Sequence, residues 1–174
     1  MGDIILRRAD ERDTSPIMEI IESAKAYMKA CGVNQWQDGY PNRGRIEADI
    51  AEGIAYVLCD NGEICASAAI AFAPERTYGN IDGAWLNDEP YAVIHRSAVS
   101  GARRGTGYGR RLMEKAEELC KSRGCKNIRI DTHRDNKSMA HLLTACGYKK
   151  CGVITLEDRA ESDVLRDGYH KVLK

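Results

Sequence analysis

Arg103-Arg104-Gly105-Thr106-Gly107-Tyr108-Gly109-Arg110-Arg111-Leu112 sets three glycines at alternate positions between two pairs of arginines. A β-like run, Y-A-V-I-H-R-S-A-V over residues 91–99, precedes it, and an amphipathic helical stretch follows. Glycine lacks the Cβ that would hold a ligand off the backbone, so neighbouring amide N–H groups can close around an oxyanion. The first turn of a helix adds unpaired donors and a partial positive charge. Strand, glycine loop and helix start together make a cradle for a diphosphate, and four guanidinium groups surround it.

Two nucleotide motifs fail here. A P-loop ends in Gly-Lys-Ser/Thr, and no Gly-Lys pair follows Gly109. A dinucleotide fingerprint needs glycine three residues after Gly107, where Arg110 stands. The pattern that is filled is Arg/Gln-x-x-Gly-x-Gly/Ala, through Arg104, Gly107 and Gly109. Beyond it, Tyr108, Leu112, Met113, Ala116, Leu119 and Cys120 fall on one helical face, and Arg123-Gly124 closes the helix. A strand over residues 127–132 follows at once, giving a βαβ-like unit. Residues 136–148 then read as a short helix that starts at Asn136 and ends at Gly147-Tyr148.

These two signatures, in this order and spacing, resemble the coenzyme-A loop and the following helix of the GNAT acetyltransferase superfamily. The rest of the chain fits that resemblance. Residues 4–8 read as a first strand. Ser15 is the expected N-cap of a helix with Pro16 at its first position, running to Gly32. After a loop at residues 34–41, a second helix is expected over residues 43–52. Residues 54–59 and 64–72 read as strands around an Asn61-Gly62 hairpin turn. Residues 91–99 give the fourth strand, and residues 148–156 and 168–173 the last two, joined by a charged loop. The expectation is α/β: a single domain over residues 1–174, with a mixed, mostly antiparallel sheet, splayed fourth and fifth strands, and flanking helices.

Bulk properties narrow the partners. The 174 residues, 43% hydrophobic, suffice for one sizeable core. Lys plus Arg equals Asp plus Glu at 26 each, so no global field favours nucleic acid or an anionic membrane. No apolar run approaches a membrane span, the start carries no secretory signal, and Leu6 breaks a myristoylation motif at Gly2. Seven cysteines without a C-x-x-C pair point to a reducing cytoplasm rather than to zinc or disulfides. The four scattered histidines offer no metal spacing, so no metal is expected.

The resemblance implies acetyl-coenzyme A as co-substrate, lying where the fourth and fifth strands part. Backbone groups near Ala98 and Val99 would hold the pantetheine arm and polarise the thioester, and amides of residues 104–109 would hold the pyrophosphate. Arg103 and Arg104 are phosphate candidates within the loop. Arg110 and Arg111 either join them or pair with Glu114 along the helix. Asn136 matches the family's pantetheine-contacting position and also reads as a helix N-cap.

Direct transfer to a primary amine of a small molecule, amino acid or peptide needs a base. His95 and Tyr91 share the strand parity of Ser97 and Val99, which would aim them at the thioester end. Glu89 lies just before the strand, and His133 ends the next one. A histidine satisfied by a backbone carbonyl is the alternative for His95. The tyrosine that the family commonly uses as acid corresponds to Leu143, which cannot donate a proton. Trp36, Gln37, Tyr40 and Trp85 are acceptor-recognition candidates that equally suit ordinary packing. The competing class is a non-catalytic acyl-coenzyme-A-binding module. A monomer and a homodimer fit equally.

Overall fold

The computed structural model describes residues 3–157 and 163–174. Gly2 and residues 158–162, part of the charged loop expected between the last strands, lie outside the described residues.

Ile4–Arg8 forms β1, and Arg7 makes a two-point ion pair with Asp13 (2.7 and 2.9 Å). A 3-10 turn at Glu11–Asp13, capped by the Asp10 side chain, runs straight into α1, Thr14–Ala30. The expected N-cap Ser15 is therefore already helical, and Pro16 is the third residue. It remains in the first turn, where a missing N–H leaves no intrahelical bond unmade. Helix α2, Arg43–Ala51, starts at Asn42, whose side chain accepts from the Arg45 N–H (2.9 Å). Strands β2 (Ala55–Asp60) and β3 (Glu63–Ala71) form the expected hairpin. Asn61 and Gly62 take φ of 50° and 84°, the left-handed pair that a two-residue turn requires.

After β3 the chain crosses to the far edge of the sheet. It makes a 3-10 turn at Arg76–Asn80 and pairs a two-residue strand, β4 (Asp82–Gly83), against a strand near the C-terminus. Gly83 faces Gly152 there, and a Cβ on either would collide with the other strand's backbone. The chain then returns to β5 (Ala92–Val99), α3 (Tyr108–Ser122), β6 (Asn127–His133), α4 (Lys137–Ala145), β7 (Lys149–Thr155) and β8 (Leu165–Val172). With β4 inserted, the strands expected as fourth and fifth are β5 and β6. Strand β8 begins ahead of the expected Gly168 because Arg166 and Asp167 still find partners on both β6 and β7.

The eight strands form one open, mixed sheet in the order β1-β2-β3-β5-β6-β8-β7-β4, antiparallel except between β5 and β6. Helix α3 buries Leu112, Met113, Ala116 and Cys120 against one face, onto Leu58, Ala66, Ile70, Ile128 and Ile130. Helices α1 and α2 bury Ile17, Ile21 and Ile46 against the other, onto Val57, Cys59 and Ala98. Four of the seven cysteines are buried as small core residues, and burial pushes the Cys120 thiol up to about 12. Among the described residues no helix is long and apolar enough to cross a membrane.

Candidate active site

Strands β5 and β6 are paired only at Ala92–Ile128 and Val93–Arg129, and beyond these rungs they part. The gap opens into a cleft of about 610 Å³ that runs from the glycine loop, along β5 and α4, to the loop between α1 and α2. One irregularity shapes its wall. Against β3, the pairing Ala69–His95 is followed by Ser67–Ala98, so β5 carries an extra residue, and Arg96 sits at φ 51°. This is a β-bulge. It corrects the simple parity expected along the strand, because the inserted residue turns Val99 onto the face of Ile94 rather than that of His95. Ile94 and Val99 accordingly both pack on the α3 side.

The bulge is held from outside. Arg96 gives Nε and Nη2 to the Asp49 carboxylate on α2 (2.6 and 2.8 Å) and Nη1 to the Tyr40 hydroxyl (2.8 Å). Asp49 is 1% exposed and also receives Arg45 (3.0 Å). A non-glycine residue in left-handed backbone, fixed by a buried ion pair beside a cleft, is a feature that alternation patterns cannot announce.

At the glycine-loop end, Arg104, Gly105, Gly107, Gly109 and Arg110 line the cleft. Gly107, the N-cap of α3, has φ 90°, which an L side chain rarely adopts. The first helix bond is donated by Arg111, leaving the Tyr108, Gly109 and Arg110 amides without a backbone acceptor among the described residues. Arg104 stacks on Tyr27 (4.1 Å) and approaches Ser23 Oγ (3.3 Å). The other side chains of the loop turn away from the cleft. Arg103 pairs with Glu63 (2.7 Å), Thr106 Oγ1 donates to the Arg103 carbonyl (2.6 Å), and the Tyr108 hydroxyl donates to Asp60.

His95 is brought to the opposite end. Its Nε2 lies 2.9 Å from Glu75, whose carboxyl is held down at about 2, chiefly by that hydrogen bond. An ionised Glu75 fixes the Nε2–H tautomer, and Nδ1 has no protein partner among the described residues. Tyr91 does not line the cleft: its hydroxyl accepts the Glu75 N–H (3.1 Å), and its ring packs under the Arg129 guanidinium (3.9 Å). Glu89 is exposed on the loop before β5, away from the cleft. His133 is 1% exposed and also outside the cleft lining, with Nδ1 accepting from the Asp135 N–H (3.1 Å) and Nε2 on Asp163 (2.6 Å).

Between the two ends lies Asn136. It caps α4 by accepting the Met139 N–H (3.1 Å), and it lines the cleft. Its Nδ2 donates to Gln35 Oε1 (3.0 Å), which lies 3.4 Å from the His133 N–H and from Thr132 Oγ1. Gln35, 8% exposed in the cleft wall, thus ties the α1–α2 loop to the end of β6. Trp36 and Tyr40 also line the cleft. Gln37 does not, since its amide is spent on the Lys25 and Gln35 carbonyls (3.1 and 2.9 Å). Nor does Trp85, which donates to the Tyr78 carbonyl (2.9 Å) under β8. Leu143 is completely buried in the α3-side core. Sequence reasoning missed Glu75, Arg96 and Gln35. For Gln35 a signal existed, a polar residue directly before Trp36 in a loop already singled out.

Residues 18–148 match the acetyltransferase (GNAT) family, and the chain belongs to it. An acetyltransferase of that family from Streptococcus agalactiae 2603 is 34% identical with a TM-score of 0.88, over 98% of this chain and 96% of that one. A Salmonella typhimurium acetyltransferase solved with its cofactor acetyl-CoA shares the fold at 17% identity and a TM-score of 0.64, over 98% and 94% of the two chains. Mouse N-alpha-acetyltransferase 80 is 32% identical over 80 residues, which make up 45% of this chain but only 26% of that curated relative's length.

Proposed function

We propose that this chain is an acetyl-CoA-dependent N-acetyltransferase that moves the acetyl group directly to a primary amine. The observation that carries the reading is one continuous cleft with a helix N-terminus and arginines at one end and the Glu75-held His95 at the other. Acetyl-CoA would lay its pyrophosphate on the amides before Arg111 and its pantetheine arm along the gap between β5 and β6. Its thioester would sit by the bulge, where unpaired strand N–H groups stabilise charge on the tetrahedral oxygen. When bound, the thioester supplies the activated acetyl carbon. His95 Nδ1 removes the proton from the attacking amine, and Glu75 keeps the ring in the tautomer that allows it.

Release of free thiol from acetyl-CoA across a panel of amines tests the reading. Turnover with at least one amine class is expected, and binding of coenzyme A with no release for any amine would overturn it. That second outcome defines the alternative, an acyl-CoA-binding module without catalysis. The burial of Leu143, where the family commonly has a tyrosine, favours it.

A further inference from the structure

Charged side chains line the cleft at both ends. Arg104 and Arg110 line the glycine-loop end, while Asp131 lines the far end, on β6 just past the last rung shared with β5. Asp131 Oδ2 accepts the hydroxyl proton of Tyr78 (2.8 Å). Tyr78 is 1% exposed, and its ring is set among those of Trp85, Tyr91 and His95 at 5.2, 6.2 and 6.3 Å. Tyr78 thereby fixes the carboxylate in the cleft that His95 also lines, and Oδ1 has no donor among the described residues.

Two arginines, Arg96 and Arg166, also line the cleft. Arg96 is occupied by Asp49 and Tyr40. Arg166, in register with His133 on β8, gives Nη1 to the backbone carbonyls of Asp163 and Leu165 (2.8 and 3.0 Å). A half-buried carboxylate with one oxygen left for a ligand, beside an imidazole whose free nitrogen shares the same cleft, suits one chemical class of guest. We infer that Asp131 anchors the acceptor, and that the acceptor is a primary amine bound as its cation. This rests on the acetyl-transfer reading above.

The step balances. The ammonium is held by Asp131 Oδ1 and gives one proton to His95 Nδ1. The freed lone pair forms the C–N bond to the acetyl carbon, and the C–S bond breaks. The nitrogen's second proton leaves with the coenzyme-A thiolate as free thiol, and the imidazolium returns its own proton to solvent. The product amide is neutral, so the contact that recruited the amine is lost with the reaction and release follows.

Asp131→Asn tests the inference, because it keeps the size and the acceptor for Tyr78 while removing the charge. Benzylamine, a cation at neutral pH, and aniline, which is neutral, serve as probes. For the CoA-loaded protein, calorimetry with benzylamine should show affinity weakened ~10–100-fold in the variant, as for a lost charged hydrogen bond. In turnover, KM for benzylamine should rise by a similar factor with kcat and coenzyme-A affinity little changed, and aniline should be indifferent. Asp131→Glu should retain most of the affinity. Unchanged benzylamine binding in Asp131→Asn, or equal losses in the Asn and Glu variants, would overturn the inference. The two readings fail separately: a protein inert towards every amine that still binds benzylamine through Asp131 sinks only the catalytic one. An active protein indifferent to the charge at residue 131 sinks only this one.

Discussion

His95 and Glu75 form the smallest unit of the proposed reaction. Glu75 is ionised from about pH 2 upward, so across any working range it accepts the Nε2–H and leaves Nδ1 as the basic nitrogen. His95→Ala should lower kcat strongly at neutral pH and less at pH 9, where more of the amine is already neutral. Glu75→Gln, acting through the ring, should cost less, about 10–100-fold at pH 7. Coenzyme-A affinity should be unchanged in both. Steady-state kinetics at the two pH values decide, and equal losses at both would assign the pair a structural role.

At the scale of elements, α4 offers the sharpest divergence between resemblance and packing. On resemblance alone, Leu143→Tyr would set a phenol near the thioester sulfur. In the structure residue 143 faces the α3-side core with no exposure. A tyrosine there would add volume and an unpartnered hydroxyl, at a cost of about 1–3 kcal/mol. A lower Tm with no gain in kcat is expected, whereas faster turnover would mean that α4 turns its faces differently. The elements themselves were legible because their signals are local: the Asn61-Gly62 turn, the apolar stripe of α3, the glycines before it. The glycine-loop end of the cleft was legible for the same reason. The His95 end was not, because it is assembled by long-range events. The excursion through β4 delivers Glu75 and Tyr78, and the bulge at Arg96 resets the facing of β5. Neither leaves a period in the sequence, and the parity argument for His95 and Tyr91 assumed a regular strand. Glu89 is near β5 in sequence only, since the chain there is surface loop.

For the whole molecule, acid stability and the divided sheet follow from the same architecture. His170 on β8 is fully buried, accepting from the Leu86 N–H at Nδ1 (3.1 Å) and bonded to Asn127 Oδ1 through Nε2 (3.0 Å). Burial, with the nearby charge of Arg129 second, pulls its pKa from 6.5 to about 4. The fold holds the neutral ring while the unfolded chain binds a proton below pH 6.5, so stability present above 6.5 is lost as pH falls towards 4. The Tm advantage of the wild type over His170→Gln should shrink across that window, and a constant difference would remove the linkage. The two-rung join between β5 and β6 has a mechanical consequence. The sheet is two four-stranded plates meeting along a tear line, with the excursion to β4 stitched across it like a strap. A long amide-bearing ligand laid in the tear works as a splice. Coenzyme A should therefore slow hydrogen exchange at residues 94–99 and 130–133 far more than within the β2–β3 hairpin, and raise Tm by mass action. On these terms the acyl donor is a reagent for the reaction and also a girder of the building in which it takes place.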